Sequence, residues 1–208
     1  MNNTEIISKP IFSKTIHGLG DIHLRFLDLE NDIETVHDWV TRPYASYWGM
    51  QEYPLEEVRI GYEEIIESDY HDAFIGILDN QPIFLMERYQ VSEDPISTYY
   101  DVKKGDIGMH ILVSPPQKKI PNFTWHIFST ILDYLFSDIH TERIVVEPDV
   151  RNEKIHVLNK RAGFQYHKEI QLPHKKAALA FCKRSAYKKA LLLEEKKNKN
   201  STLKNEKP

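Results

Sequence analysis

The chain has a single cysteine, Cys182, in 208 residues. One thiol cannot form an internal disulfide or a thiolate zinc site, and Cys182, set in an apolar stretch, reads as a small core residue. No apolar run reaches membrane-spanning length. The N-terminal Met1-Asn2-Asn3-Thr4-Glu5 lacks the pattern of a secretory leader, so the expected location is cytoplasmic, with no membrane partner. Positive charge is not in excess either. Lys and Arg total 27 against 31 Asp and Glu, a net charge of −4. That balance argues against a general nucleic-acid binder, which needs a basic face. It still allows a small anionic ligand held by local Lys and Arg. What remains is ordinary for a soluble domain: 41% hydrophobic and 28% charged residues, with length enough for one domain and a sizeable core.

One stretch organises the rest: Gly105-Asp106-Ile107-Gly108-Met109-His110-Ile111-Leu112-Val113-Ser114-Pro115-Pro116. The period of two puts Ile107, Met109, Ile111 and Val113 on one face of a strand. Gly108, His110 and Leu112 fall on the other. A mid-strand histidine is unusual, because imidazole is polar and a sheet interior is not. The two prolines stop the ladder. The amphipathic pattern of Phe123 to Ile139 predicts a helix, with Asn122 as its N-cap and Thr130 on its outer side. A strand, a loop and a helix in that order can form an anion site.

Around this segment the pattern alternates. Ile22 to Phe26 predicts a strand, and Glu30 to Val40 a short helix. Arg42 to Met50 is a loop dense in aromatics, whose rings either cap the core or wall a ligand. A second helix opens at Pro54. Phe74 to Leu78 and Ile83 to Tyr89 predict a hairpin turned at Asp79-Asn80-Gln81-Pro82. Spacing alone favours the solvent face for Glu87. The continuous apolar run Ile144-Val145-Val146 predicts a strand buried on both faces, ending at Pro148-Asp149. Asn152 caps a helix that Gly163 ends. Two strands and a surface helix over 187–195 complete a single domain, 1–195. Residues 196–208 form a charged tail expected to be disordered. The fold class is α/β (α+β), with a central mixed sheet flanked by helices.

Two polar groups break the apolar pattern, His110 in mid-strand and Asp149 just past the next strand. Brought together, an imidazole and a carboxylate can move a proton at neutral pH. The structural alternative is a histidine bonded to a backbone carbonyl and an aspartate in a turn after proline. Spacing alone favours that alternative.

An ordered set of motifs adds to this. Tyr47-Trp48-Gly49-Met50, Met86-Glu87-Arg88-Tyr89, and Tyr100-Asp101 with Gly105 to Leu112 come first. Glu147-Pro148-Asp149-Val150-Arg151-Asn152 and Asn159-Lys160-Arg161-Ala162-Gly163-Phe164 follow. Over roughly residues 22–185 the chain resembles the siderophore-biosynthesis branch of the GNAT acyltransferases. The resemblance implies a GNAT domain and an acyl-CoA co-substrate, acetyl-CoA by default. It implies a small-molecule N-hydroxyamine acceptor, such as N6-hydroxylysine or a hydroxylated diamine, and a hydroxamate product. It implies catalytic roles for His110 and Asp149. The pantetheine arm is expected along Ile111, Leu112 and Val113, with Gln117, Lys118, Lys119, Asn122 and Asn152 completing the coenzyme site. Trp48, Glu87 and His110 are expected to line the acceptor tunnel. No metal is needed, and siderophore-pathway enzymes are the implied partners. One departure stands out: the loop Gln117-Lys118-Lys119-Ile120-Pro121-Asn122-Phe123 has no glycine where the family's pyrophosphate loop is glycine-rich, and Lys118 and Lys119 would supply charge in its place. The alternatives are a general GNAT N-acetyltransferase acting on a primary amine and a non-catalytic acyl-CoA-binding module.

Overall fold

The computed structural model describes residues 9–116 and 118–205. Its N-terminal half builds an antiparallel meander. Strands β1 (Phe12–Ile16) and β2 (Gly20–Phe26) are followed by helices α1 (Leu29–Val40) and α2 (Leu55–Glu67), then by strands β3 (His71–Leu78) and β4 (Gln81–Gln90). Local chemistry fixes these elements. Asp28 caps α1 through the Glu30 N–H. Asp79 and Asn80 turn the β3–β4 hairpin at φ 50° and 60°, the left-handed pair that a two-residue turn requires.

The second half supplies β5 (Asp106–Val113), α3 (Phe123–Leu135), β6 (Arg143–Val146), α4 (Glu153–Ala162), β7 (Gln165–Gln171), β8 (Lys176–Lys183) and α5 (Arg184–Asn205). The sheet order is β1-β2-β3-β4-β5-β6-β8-β7. Only β5 and β6 run parallel among these neighbours, so the sheet is mixed, as the pattern predicts. Ile107 and Met109 pack with α3 on one face, whereas Leu112 packs with α1 and α2 on the other. Ile144, Val145 and Val146 are buried, as an apolar strand covered on both faces must be: Ile144 and Val146 pack on the α3 side and Val145 with Tyr89 and Ile96 on the other.

The sheet opens at one place. β5 pairs antiparallel with β4 along Ile107–Val113. Its parallel pairing with β6 covers only Asp106, Gly108 and the residue between them. From Met109 onward, the β6-facing edge of β5 has no strand partner among the described residues.

Three expectations need correction. Helix α3 stops at Leu135, with Phe136 closing it, and Ile139 is 77% exposed rather than part of the apolar face. Thr130 is buried, not outward, and donates its hydroxyl to the His126 carbonyl, which satisfies it inside the core. The last helix does not stop at residue 195: α5 continues through Asn205, and residues 206–208 of the expected tail lie outside the described residues. Lys, Glu and Leu are strong helix formers, and Glu194 is held by Arg161 and Lys197.

Candidate active site

The site forms where the sheet parts. Glu87 on β4 and His110 on β5 are direct cross-strand partners, so their side chains share a face. The carboxylate Oε2 of Glu87 accepts from His110 Nδ1 at 2.8 Å, and Oε1 accepts from the Tyr62 hydroxyl at 3.1 Å. Glu87 is only 6% exposed, so its expected place on the solvent face is wrong. Local alternation cannot see α2, which covers that face and brings Tyr62 over the carboxylate.

The second partner of His110 comes from across the gap. β5 and β6 run in a fixed offset, with Gly108 opposite Val145. Two residues on, the same offset sets His110 abreast of Glu147. The backbone ladder has ended there, but His110 Nε2 reaches Glu147 Oε1 at 3.0 Å. A side-chain bond spans the opening that the backbone leaves. Glu147 also accepts from Lys175 Nζ at 3.2 Å and from the Tyr89 hydroxyl at 3.1 Å. Gly108 makes the last contact possible. A Cβ there would sit 2.1 Å from the Tyr89 ring, so only glycine lets that ring cross β5 toward Glu147.

This arrangement sets the charges. Burial works against every ion in the cluster. For Glu87, the His110 hydrogen bond and charge outweigh burial and hold the carboxyl down to about 2, with His71 Nε2 3.7 Å away. For Glu147, His110 and then Lys175 do the same, again to about 2. For His110, Glu147 and then Glu87 overcome burial and lift the ring to about 10. At neutral pH His110 is therefore an imidazolium donating both N–H groups to carboxylates. It is not a free base in this state.

Asp149 lines the same cavity but does not partner His110. Its carboxylate accepts from the Arg151 backbone N–H and Nε at 2.8 Å each, and from Nη2 at 2.7 Å. Those hydrogen bonds, Arg151's first, hold Asp149 down to about 2. The expected His110–Asp149 pair is thus replaced by His110–Glu147. Glu147, which lies within the Glu147–Asn152 motif, is the carboxylate that bonds His110 Nε2.

A cavity of about 550 Å³ opens on this cluster. Trp48 lies over it, edge-on to His110 at 6.3 Å between ring centres, which puts the aromatic loop on the ligand side as well as the core side. Ile111, Leu112 and Asn152 also line the cavity, and Asn152 caps α4 through the Ile155 N–H at 3.4 Å. Val113 packs against the core beside it. Asn159, missed as a site residue, is buried on the cavity wall. Its Nδ2 donates to Tyr166 Oη, and its Oδ1 has no partner. A buried acceptor without a donor costs stability, so this oxygen fits the amide N–H of an entering ligand. An extended pantetheine chain, rich in amides, suits both that oxygen and the unpaired β5 edge.

The anion-binding expectations divide. Lys118 and Lys119 are exposed on the β5–α3 connection. Asn122 does not cap α3. It adopts φ 56°, makes no capping bond, and its Oδ1 accepts from Arg161 Nη1 at 3.1 Å, so its side chain is turned away from the helix start. Gln117 lies outside the described residues. Among the described residues no group of His, Cys, Asp and Glu is arranged to hold a metal, and no helix is long and apolar enough to cross a membrane.

A mixed sheet that parts beside an acid–base cluster, with a cavity entering at the opening, defines an α/β domain built to hold an extended ligand against titratable groups. More particularly, the chain belongs to the acetyltransferase (GNAT) domain family, whose model matches residues 28–172. It is similar to the N(6)-hydroxylysine O-acetyltransferase of Escherichia coli, 28% identical over 165 residues, covering 78% of this chain and 52% of that protein. It is also similar to the hydroxyornithine transacylase SID3 of Ajellomyces capsulatus, at 27% identity, covering 84% of this chain and 41% of the other. The N-hydroxyputrescine acetyltransferase of Acinetobacter baumannii is 25% identical, covering 79% and 78%. The chain thus spans about half the length or less of the first two relatives. Among solved structures, an uncharacterized protein from Bacillus halodurans superposes with TM-score 0.80 at 27% identity, covering 86% of this chain and 93% of that one. The aminoglycoside acetyltransferase AAC(6')-Ib, in complex with ribostamycin and coenzyme A, shares the fold at TM-score 0.71 and 19% identity, covering 80% and 96%.

Proposed function

We propose that this protein transfers an acyl group, acetyl by default, from acyl-CoA to the nitrogen of an N-hydroxylated amine, giving a hydroxamate. The observation that carries the reading is an imidazole clamped by two buried carboxylates where β5 and β6 part inside the sheet. The names of the relatives, which include hydroxylysine, hydroxyornithine and hydroxyputrescine acyltransferases, support the acceptor class.

The acceptor's hydroxyl withdraws electron density, so its nitrogen is largely neutral near pH 7 and needs little preparation. That nitrogen attacks the thioester carbonyl. The C–N bond forms, the C–S bond breaks, and the proton shed by nitrogen passes through the Glu87–His110–Glu147 unit to the departing thiolate. His110 holds its own proton because both carboxylates face it. An acceptor hydroxyl that takes Glu147 off the ring removes part of that pull and frees Nε2 for the exchange. Backbone N–H groups near Leu112, at the open edge, stabilise the oxyanion. Trp48 walls the acceptor, and Asp149 with Arg151 shapes the strand end beneath it. Lys118 and Lys119 attract the coenzyme phosphates. The reading places the protein in the cytoplasm, beside an enzyme that hydroxylates the amine and others that consume the hydroxamate, a hard bidentate oxygen donor suited to ferric iron.

The test mixes purified protein and acetyl-CoA with N6-hydroxylysine, N-hydroxylated diamines and their unhydroxylated parents, and follows thiol release. Turnover restricted to the hydroxylated acceptors is expected. A preference for primary amines would replace this reading with a general amine acetyltransferase. Calorimetric binding of CoA with no turnover on any acceptor would replace it with a binding module.

A further inference from the structure

We propose that the end of the acceptor remote from its N-hydroxy group is a primary ammonium held by Asp94, so that the substrate class is an N-hydroxylated diamine rather than an amino acid; this rests on the acyltransferase reading above. The argument is one of charge pairing around the cavity. Glu87, His110, Glu147 and Lys175 satisfy one another and together carry no net charge at neutral pH. Asp149 is neutralised by Arg151. Among the described residues lining the cavity, Asp94 is the carboxylate with no cationic partner. His174 is exposed at the rim.

Asp94 is fixed in place. It follows β4 and caps the short turn Pro95–Tyr99, its Oδ1 accepting from the Ile96 N–H at 2.8 Å. That bond uses one oxygen and leaves the other for a ligand. The wall beside it is apolar, with Ile96 and Leu172 in one buried cluster, a surface for an aliphatic chain. Its field reaches the reacting end: burial and the Glu147 charge push the Tyr89 hydroxyl up, and the Asp94 charge adds to them. An acceptor ending in a carboxylate would meet this charge with no cation free to answer it, since Lys175 is engaged by Glu147. An ammonium meets its complement.

The experiment compares acceptors that differ in their remote end: N-hydroxycadaverine, N-hydroxypentylamine and 6-(hydroxyamino)hexanoic acid, ending in ammonium, methyl and carboxylate, with N6-hydroxylysine as the zwitterionic case. The lowest KM is expected for the diamine and the highest for the acid. Asp94→Asn keeps the capping oxygen and removes the charge. It should cut the diamine-over-pentylamine preference in kcat/KM by about tenfold, the scale of one hydrogen bond to a charged group. A wild-type protein that favours N6-hydroxylysine, or an Asp94→Asn variant that keeps the full preference, overturns the assignment of Asp94 while leaving the acyltransferase reading in place. No turnover on any of the four would overturn that reading itself.

Discussion

Glu147 and Asp149 stand two residues apart on one strand end, line one cavity and are both buried. Both carboxyls are held at about 2. They differ in what holds them. Glu147 faces inward and is bound by groups from three other segments, His110, Tyr89 and Lys175. Asp149 is bound by Arg151, its own near neighbour, whose side chain is 74% exposed. One carboxylate ties the two halves of the opened sheet together. The other closes a local turn. A depressed pKa therefore does not single out a reacting group, because local hydrogen bonds to a turn lower it as effectively as a catalytic partner does.

The largest effect that separates the two is on turnover. Glu147→Gln should lower kcat by about two orders of magnitude or more, and His110→Ala by about two to four, if the cluster carries the proton. Asp149→Asn should cost far less, because it leaves the His110 clamp intact. Steady-state rates on an N-hydroxylated amine check this. Equal losses at both positions would break the contrast and return Asp149 to the role that the sequence suggested.

Stability should follow the same order. Glu147→Ala leaves an imidazolium whose side chain is 35% exposed short of one of its two carboxylates, so solvent screening holds the loss below the ~3–5 kcal/mol of breaking a fully buried pair. Asp149→Ala releases an arginine that is already in water, and should shift the denaturation midpoint by a small fraction of that. Chemical unfolding of the two variants side by side measures the difference.

How much of this was legible in the sequence follows the range of each interaction. The strand alternation of Ile107 to Val113, the helix end at Gly163 and the buried run before Glu147 depend on neighbours in the chain, and the structure has them where the pattern puts them. His110 stood out because a polar ring in an apolar strand needs a reason. Glu87 was misplaced because its burial comes from α2, and nothing local reports that. Glu147 was passed over because Pro148-Asp149 looks like a ligand-bearing turn, whereas only the β5–β6 offset brings residue 147 level with residue 110. Asn159 lay inside a quoted motif, but its unpaired oxygen is a property of packing.

pH sharpens the comparison further. His110 is raised from 6.5 to about 10, so its contribution to stability is full below about 6.5 and is lost as pH rises toward 10. The lowered carboxyls act in the opposite sense: their contribution is present above about 4.5 and fades as pH falls toward 2. Both contributions are full together between those limits. Melting temperature should therefore decline from pH 6.5 to 10 in the wild type and decline less in Glu147→Gln, whose His110 has lost the larger of its two supports. Asp149→Asn should keep the wild-type slope. In the same range kcat/KM, which reports the free protein, should rise with pH, because the base form of His110 is the minor one at neutrality.

The smallest effect concerns Arg151. If its only task is to hold Asp149, Arg151→Gln should reproduce Asp149→Asn, and the double variant should be no worse than either single one, since two members of one pair share one interaction. Tyr47 offers a complication that makes the test informative. Its hydroxyl donates to the Arg151 carbonyl at 3.1 Å, and the guanidinium lies 5.9 Å from its ring centre. This links the strand end to the loop that carries Trp48. If Arg151→Gln raises the acceptor KM by a few-fold while Asp149→Asn does not, the guanidinium is steadying the aromatic wall through Tyr47 as well as the turn. The local carboxylate would then share in the site through its partner, and the division between Glu147 and Asp149 would be one of degree.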